Sequence, residues 1–190
     1  MDKLEVSVTL EDICFEIGQA DADLIQKQVL QLAEFRETER TWQDSSYLQE
    51  LLTAARYFFP EYVLELEGMA RCAQVEYETL LVWNCRGDLP LSDDAIPESA
   101  KHSPEGCTTL LYPAAKSSVA VIAHNEDGPP ELDGHCSWFS VRQENGSKFS
   151  TFHYPGMLPG HTLSVNSHGL VQTINNIRVD DLQSGIPHWC

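Results

Sequence analysis

Pro104-Glu105-Gly106-Cys107-Thr108-Thr109 divides this 190-residue chain in two. Before it, apolar residues recur at helical spacing; after it come short runs rich in β-branched and aromatic residues, broken by Gly and Pro. Helices first and strands afterwards describe an α+β chain. On local residues alone the stretch admits two readings. A cysteine beside β-branched threonines is commonly a small buried core thiol. Alternatively, Cys107 is a nucleophile: Gly106 leaves its carbonyl open to the adjacent thiol, which attacks through a small ring and moves the acyl group from nitrogen to sulfur. Water then cleaves the ester and Cys107 becomes a new N-terminus. Its α-amine ordinarily titrates at roughly 7.7 to 8.0, close to the thiol at roughly 8.5. Such an amine can act as general base for its own side chain.

Upstream, Val6, Val8 and Leu10 alternate with Ser7 and Thr9 as an edge or lead-in strand would. From Asp21 the pattern turns helical, with Asp21 or Asp23 as a cap and Leu24, Ile25, Val29, Leu32 and Phe35 on one face. Tyr47, Leu48, Leu51, Leu52, Ala55 and Phe58 predict a second helix interrupted by Pro60. Tyr62, Val63, Leu66, Met69 and Ala70 predict a third, and Glu76 to Trp83 a short fourth. These aromatic and Met stripes are expected to be core. Arg86 and Asp88 either pair with one another or hold the helical part against the site. The polar, proline-bearing span 90–104 reads as an exposed approach to a cleavage point.

Downstream, Cys107 to Tyr112 reads as a strand, and Ser118 to Ala123 is apolar on both faces, as for a strand covered on both sides. Ser137 to Arg142, Lys148 to His153, Leu163 to Asn166 and Leu170 to Asn175 continue the series. Turns are expected at Asn145-Gly146, from Pro155-Gly156 to Pro159-Gly160, and at His168-Gly169. Consecutive hairpins fit a layered sheet.

Twelve basic against 29 acidic side chains leave a net charge of -17, which argues against nucleic acid and anionic membranes as partners. No apolar run approaches the ~20 residues of a membrane span, and Met1-Asp2-Lys3-Leu4-Glu5 lacks a signal-peptide core, so the expected location is the cytoplasm. Six cysteines, at 14, 72, 85, 107, 136 and 190, include no Cys-x-x-Cys pair; reduced thiols are expected rather than a disulfide framework. His135-Cys136 near His124 is the most metal-like cluster, but nothing has metal-site spacing and no metal or cofactor is expected. His124, His153, His161 and His168 are expected at the surface or in turns.

Five motifs occur in a fixed order: Asn84-Cys85-Arg86-Gly87-Asp88-Leu89-Pro90, Glu105-Gly106-Cys107-Thr108-Thr109, His124-Asn125-Glu126-Asp127, Tyr154-Pro155-Gly156-Met157-Leu158-Pro159-Gly160, and Val165 through Asn176. Together they resemble the acyl-coenzyme A:6-aminopenicillanic acid acyltransferase family, self-cleaving cysteine enzymes among the N-terminal nucleophile hydrolases. The resemblance runs from about Pro60 to Pro187. It implies a four-layer αββα sandwich, cleavage between Gly106 and Cys107, a helical pro-segment or small subunit over 1–106, and the first part of the nucleophile-bearing β-rich subunit over 107–190. It also implies catalytic Cys107, Asp127 and Asn175, with Asn125, Thr108 and Arg86 in support. Asp127 would orient the new α-amine, or it is simply a turn residue. Asn175, preferred over Asn176, would donate to the oxyanion, or the pair caps a strand.

The implied activity is that of a self-processing amidase or acyltransferase that passes an acyl group from a small amide or thioester through S-acyl Cys107. A coenzyme A thioester is an admissible substrate by analogy, and the cleavage products are expected to associate with one another. Chains of the resembling family continue past Ser184-Gly185-Ile186-Pro187 and carry a basic site residue there, whereas this one stops at His188-Trp189-Cys190. The expectation is therefore a C-terminally truncated member with an incomplete sandwich and exposed edges. The alternative function is a non-catalytic member that does not mature.

Overall fold

The computed structural model describes residues 3–7, 10–90, 106–114, 119–142, 146–176 and 183–190, with side chains from residue 16 onward. Strand β1 (Lys3–Ser7) is followed by helix α1 (Leu10–Lys27). The helix thus starts well before Asp21, which lies inside it and does not cap it. The alternation of Val6, Val8 and Leu10 ran past the end of the strand into the first helical residue, so periodicity alone could not locate the boundary. A 3-10 turn at Val29–Gln31 leads into α2 (Ala33–Trp42). Helix α3 (Ser46–Phe58) is capped by Ser45, whose Oγ accepts the Leu48 N–H at 3.1 Å; such a cap contributes about 1 kcal/mol.

Pro60 opens α4 (Pro60–Ala73), where its missing N–H leaves no helical hydrogen bond unmade. Gly18 lets α1 lie close against α4: a Cβ there would stand 2.7 Å from the Met69 carbonyl oxygen. Helix α5 (Tyr77–Cys85) is buried from Thr79 to Cys85. The expected stripes do form the core, through Ile25, Val29, Phe35, Leu48, Leu51, Leu66 and Met69. Phe58 is a correction: it is 56% exposed and its ring packs edge-on at 4.8 Å against Tyr57, itself 79% exposed, rather than into the core.

Beyond Cys107, β2 (Thr108–Tyr112) and β3 (Val121–Asn125) pair antiparallel as a ribbon, Thr108 opposite Asn125. The expectation of a strand covered on both sides over Ser118 to Ala123 is overturned. Val121 is 50% exposed, and Leu110 on the facing strand is 66% exposed. A continuous apolar run says that both faces suit burial, not what will cover them. Ser118 itself lies outside the described residues, as do Asn145 and all of 90–104 except Pro90.

Strands β4 (Ser137–Arg142), β5 (Lys148–His153) and β6 (Leu163–Asn166) have the bounds their alternation predicts, and β7 (Val171–Thr173) is shorter than expected. With β1 they form a five-stranded sheet ordered β1-β4-β5-β6-β7, β1 parallel to β4 and the rest antiparallel. The architecture is α+β. Phe139, Val141, Thr151 and His153 are buried on one face, where His153 Nε2 meets the Asp21 carboxylate of α1 at 2.7 Å. By register the other face carries half-buried Trp138 and Phe152, then Val165 and Val171. Residues from both sides of Cys107 share one core: Ile17, Ile25 and Leu80 pack in the same cluster as Phe139, Met157 and Leu158. No helix among the described residues is long and apolar enough to cross a membrane.

Candidate active site

The register of the ribbon decides what Cys107 meets. Since Thr108 faces Asn125, the next pair outward sets Cys107 beside Glu126, and the two-residue period places Thr109 and His124 on the same face. Cys107 Sγ lies 3.4 Å from Glu126 Oε2, and His124 Nε2 lies 3.1 Å from the same oxygen. Tyr154 donates its hydroxyl to Glu126 Oε1 at 3.0 Å. The backbone N–H of Asp127 also points at the sulfur. Burial first, and then the Glu126 carboxylate, push the Cys107 thiol above its ordinary pKa, partly offset by the Asp127 N–H. Tyr154 is likewise pushed up, by burial and then by Glu126, which keeps its phenol a donor.

A second set of contacts fixes the other side of Cys107. Asn175 Nδ2 donates to the Cys107 carbonyl oxygen, and Asn175 Oδ1 accepts from the Thr109 hydroxyl at 2.7 Å. Thr109 Oγ1 also stands 3.1 Å from Thr173 Oγ1 and 3.0 Å from His124 Nδ1. The structure therefore gathers Cys107 and Asn175 with Thr109, His124, Glu126, Tyr154 and Thr173. Asn175 touches the carbonyl of Cys107 itself, not that of Gly106. Thr108 and Asn125 lie on the opposite face of the ribbon, and the Asp127 carboxylate is taken by Asn125 Nδ2 at 2.6 Å. Gly106 is exposed, with nothing within 4 Å of where a Cβ would stand.

The remaining motifs build a seat for Tyr154. Asn84, fully buried, donates to the carbonyls of Leu80 and Gly156 and accepts from the Leu158 N–H at 3.0 Å, tying α5 to the 154–160 turn. Trp83 Nε1 adds a bond to the Pro155 carbonyl at 3.0 Å. Gly156 has a φ of +78°, and a Cβ there would press on Ile25, Trp83 and Leu80 at 3.3 to 3.4 Å, so the turn demands glycine twice over. Arg86 lies over the Trp83 ring, 3.9 Å from its centre, and donates to the Trp83 carbonyl. Its charge reaches Tyr154 and lowers the phenol's pKa against the larger effects of burial and Glu126. Asp88 bonds His188 Nδ1 at 2.7 Å.

Two histidines expected at the surface are buried: the side chains of His124 and His153 are each 1% exposed, the first under Glu126 and the second against Asp21. His161 is half-buried and lines a cavity of about 210 Å³ with Glu65, Gln172, Ile174 and His188. By the strand alternation, Gln172 and Ile174 point the opposite way from Thr173 and Asn175, so this cavity and Cys107 lie on different faces of β7. Sequence reasoning missed Glu126, His124, Thr109, Thr173 and Tyr154 as partners of Cys107. The one signal was positional: all five stand inside the five motifs already singled out.

Residues 114–190 match the family model described as acyl-coenzyme A:6-aminopenicillanic acid acyl-transferase. A curated relative, the beta-alanyl-dopamine/carcinine hydrolase of Drosophila melanogaster, is 34% identical over 149 residues, covering 72% of this chain and 37% of the relative. The chain thus spans little more than a third of the length of the relative it matches. With the motifs assembled around one cysteine and these two matches in hand, the chain belongs to the acyl-coenzyme A:6-aminopenicillanic acid acyltransferase family.

Proposed function

We propose that this chain carries the nucleophile of a self-processing amidase or acyltransferase, acting on small acyl amides or acyl thioesters through an S-acyl Cys107. The observation that carries the reading is the convergence on Cys107 of a carboxylate at 3.4 Å, a buried histidine on that carboxylate, and an amide donor on the Cys107 carbonyl. In the uncleaved chain Glu126 accepts the thiol proton as Sγ attacks the Gly106 carbonyl. The C–N bond then breaks, the Cys107 nitrogen takes the proton, and water hydrolyses the thioester to a Gly106 carboxylate and a free Cys107 α-amine. From then on the amine serves as base. Asp127 and Asn125, one pair on the ribbon's far face, would hold the end of β3, and Asn175 would hold the nucleophile's main chain and supply the oxyanion donor.

The same reading assigns 1–106 to the small subunit and 107–190 to the nucleophile-bearing one. The shared core, the β1–β4 pairing and the Asp21–His153 contact support products that stay together after cleavage. It makes the sheet face bearing Trp138, Phe152 and Thr173 the inner face of an αββα sandwich, with Cys107 between the layers. The relative's name points to β-alanyl amides as the first substrates to try, and a net charge of -17 favours amine-bearing ones. A second reading, a member that stays unprocessed, is favoured by one observation: the Cys107 thiol is held above its ordinary pKa. The deciding experiment follows amine release from a panel of β-alanyl amides and acyl-coenzyme A thioesters. Turnover by the parent and none by Cys107→Ala supports the reading; equal rates in the two proteins, or no turnover by a cleaved parent, refute it.

A further inference from the structure

Cys107 Sγ, His124 Nε2 and Glu126 Oε2 all lie within 4.8 Å of one another. Two of the three separations are 3.4 Å, sulfur to oxygen, and 3.1 Å, nitrogen to oxygen. Zinc bonds of about 2.3 Å to sulfur and about 2.0 to 2.1 Å to nitrogen and oxygen, at tetrahedral angles, set ligand atoms roughly 3.3 to 3.6 Å apart. One edge of such a tetrahedron is therefore already present, a second has to open by about 0.2 Å, and the third has to close by about 1.2 Å at most.

Hydrogen-bond counting gives an independent reason. Asn175 spends its amide on the Cys107 carbonyl, so its oxygen faces Thr109 and takes the one Thr109 hydroxyl proton. The two lone pairs left on Thr109 Oγ1 then accept from Thr173 and from His124 Nδ1. With the Nδ1 proton so placed, Nε2 points its lone pair at a carboxylate oxygen 3.1 Å away. That contact is satisfied only by a second proton or by a cation held between the two atoms.

We propose that Cys107, His124 and Glu126 form a three-ligand site for a zinc-like divalent cation, its fourth position open to water. A thiolate and an imidazole select borderline or soft ions over magnesium and calcium. On binding, the thiol gives its proton to solvent and the sulfur pair to the metal, so the ion blocks attack on Gly106 and holds self-cleavage off. The blocking role rests on the proposed function; the site itself rests on the geometry.

The test uses the chelator-stripped full chain titrated with Co²⁺. One equivalent should give the near-ultraviolet sulfur-to-cobalt absorption and be displaced by Zn²⁺. Cys107→Ala should lose the band, Cys72→Ser should keep it, and His124→Gln and Glu126→Gln should each weaken Co²⁺ binding at least tenfold with unchanged circular dichroism. Zn²⁺ should slow self-cleavage at least tenfold, reversibly with chelator. A parent without the band, or a band that survives in Cys107→Ala, overturns the site. Cleavage without the band removes the cation and leaves the nucleophile standing. The band in a parent that never cleaves upholds the site and removes the self-processing reading.

Discussion

Gly128→Ala is the sharpest structural probe of the Tyr154–Glu126–Cys107 chain. A Cβ at position 128 would stand 1.9 Å from the Tyr154 hydroxyl oxygen, 2.7 Å from Cζ and 3.0 Å from Cε1, where ordinary contact begins at 3.4 Å. The phenol must therefore retreat by about 1.5 Å, while its 3.0 Å bond to Glu126 tolerates a lengthening of only about 0.5 Å before it ceases to be one. Tyr154 is 4% exposed, with the Phe152 ring edge-on at 5.1 Å and the His161 ring at 6.4 Å, so the ring cannot retreat without displacing its neighbours. Overpacking costs about 1 to 3 kcal/mol, and losing a hydrogen bond to a charged group about 1.5 to 3 kcal/mol. A loss of about 3 kcal/mol or more is expected, read as a lower midpoint in urea with an unchanged slope. Tyr154→Phe added to Gly128→Ala removes the atom at 1.9 Å and should recover part of that loss, though Cζ still crowds the methyl. A Gly128→Ala protein as stable as the parent, or a double variant less stable than Gly128→Ala alone, would refute this packing.

Three other outcomes follow from the same geometry. Asn84→Ala strips two tertiary hydrogen bonds from the buried 154–160 turn and should cost about 3 kcal/mol in urea unfolding, with Asn84→Asp no better, because a carboxylate has no N–H for the Gly156 carbonyl. In the uncleaved chain, alkylation of Cys107, taken as the difference from Cys107→Ala, should accelerate as pH rises with an inflection above that of a free thiol; Glu126→Gln should move it downward, since the opposing carboxylate is gone. His161 is pushed down to about 3 from an ordinary 6.5, by burial first and then by Arg86 and His188. Below pH 6.5 the unfolded chain binds the proton that the folded one refuses, so stability should fall as pH falls from 6.5 toward 3, by up to about 1.4 kcal/mol per pH unit. His161→Gln should flatten that slope in acid titrations followed by thermal melting.

Much of the fold was legible because its signals are local. Strands β4, β5 and β6 have the bounds that alternation gave, and α3 and α4 meet at Pro60 as the sequence required. What was hidden depends on partners distant in sequence. The run around Val121 looks like a strand with two covered faces, yet Val119 and Val121 are exposed, since only tertiary packing decides what lies over a strand. At the site, Cys107, Asn175 and the acidic motif could be picked out. That Glu126, and not Asp127, turns its carboxylate to the sulfur follows from pairing Thr108 with Asn125 across the 113–120 connection. A slip of one residue would have reversed the two. His124 looked like turn chemistry for the same reason: its burial comes from Thr109 on one ring nitrogen and Glu126 on the other.

The most direct measurement of the central claim is the intact mass of the purified, metal-free chain beside a Cys107→Ala control. The account predicts two fragments in the parent, residues 1–106 and 107–190 with a free Cys107 α-amine, co-eluting in native buffer, and one uncleaved mass in the control. A single full-length mass in both proteins, or cleavage that persists in Cys107→Ala, would contradict it.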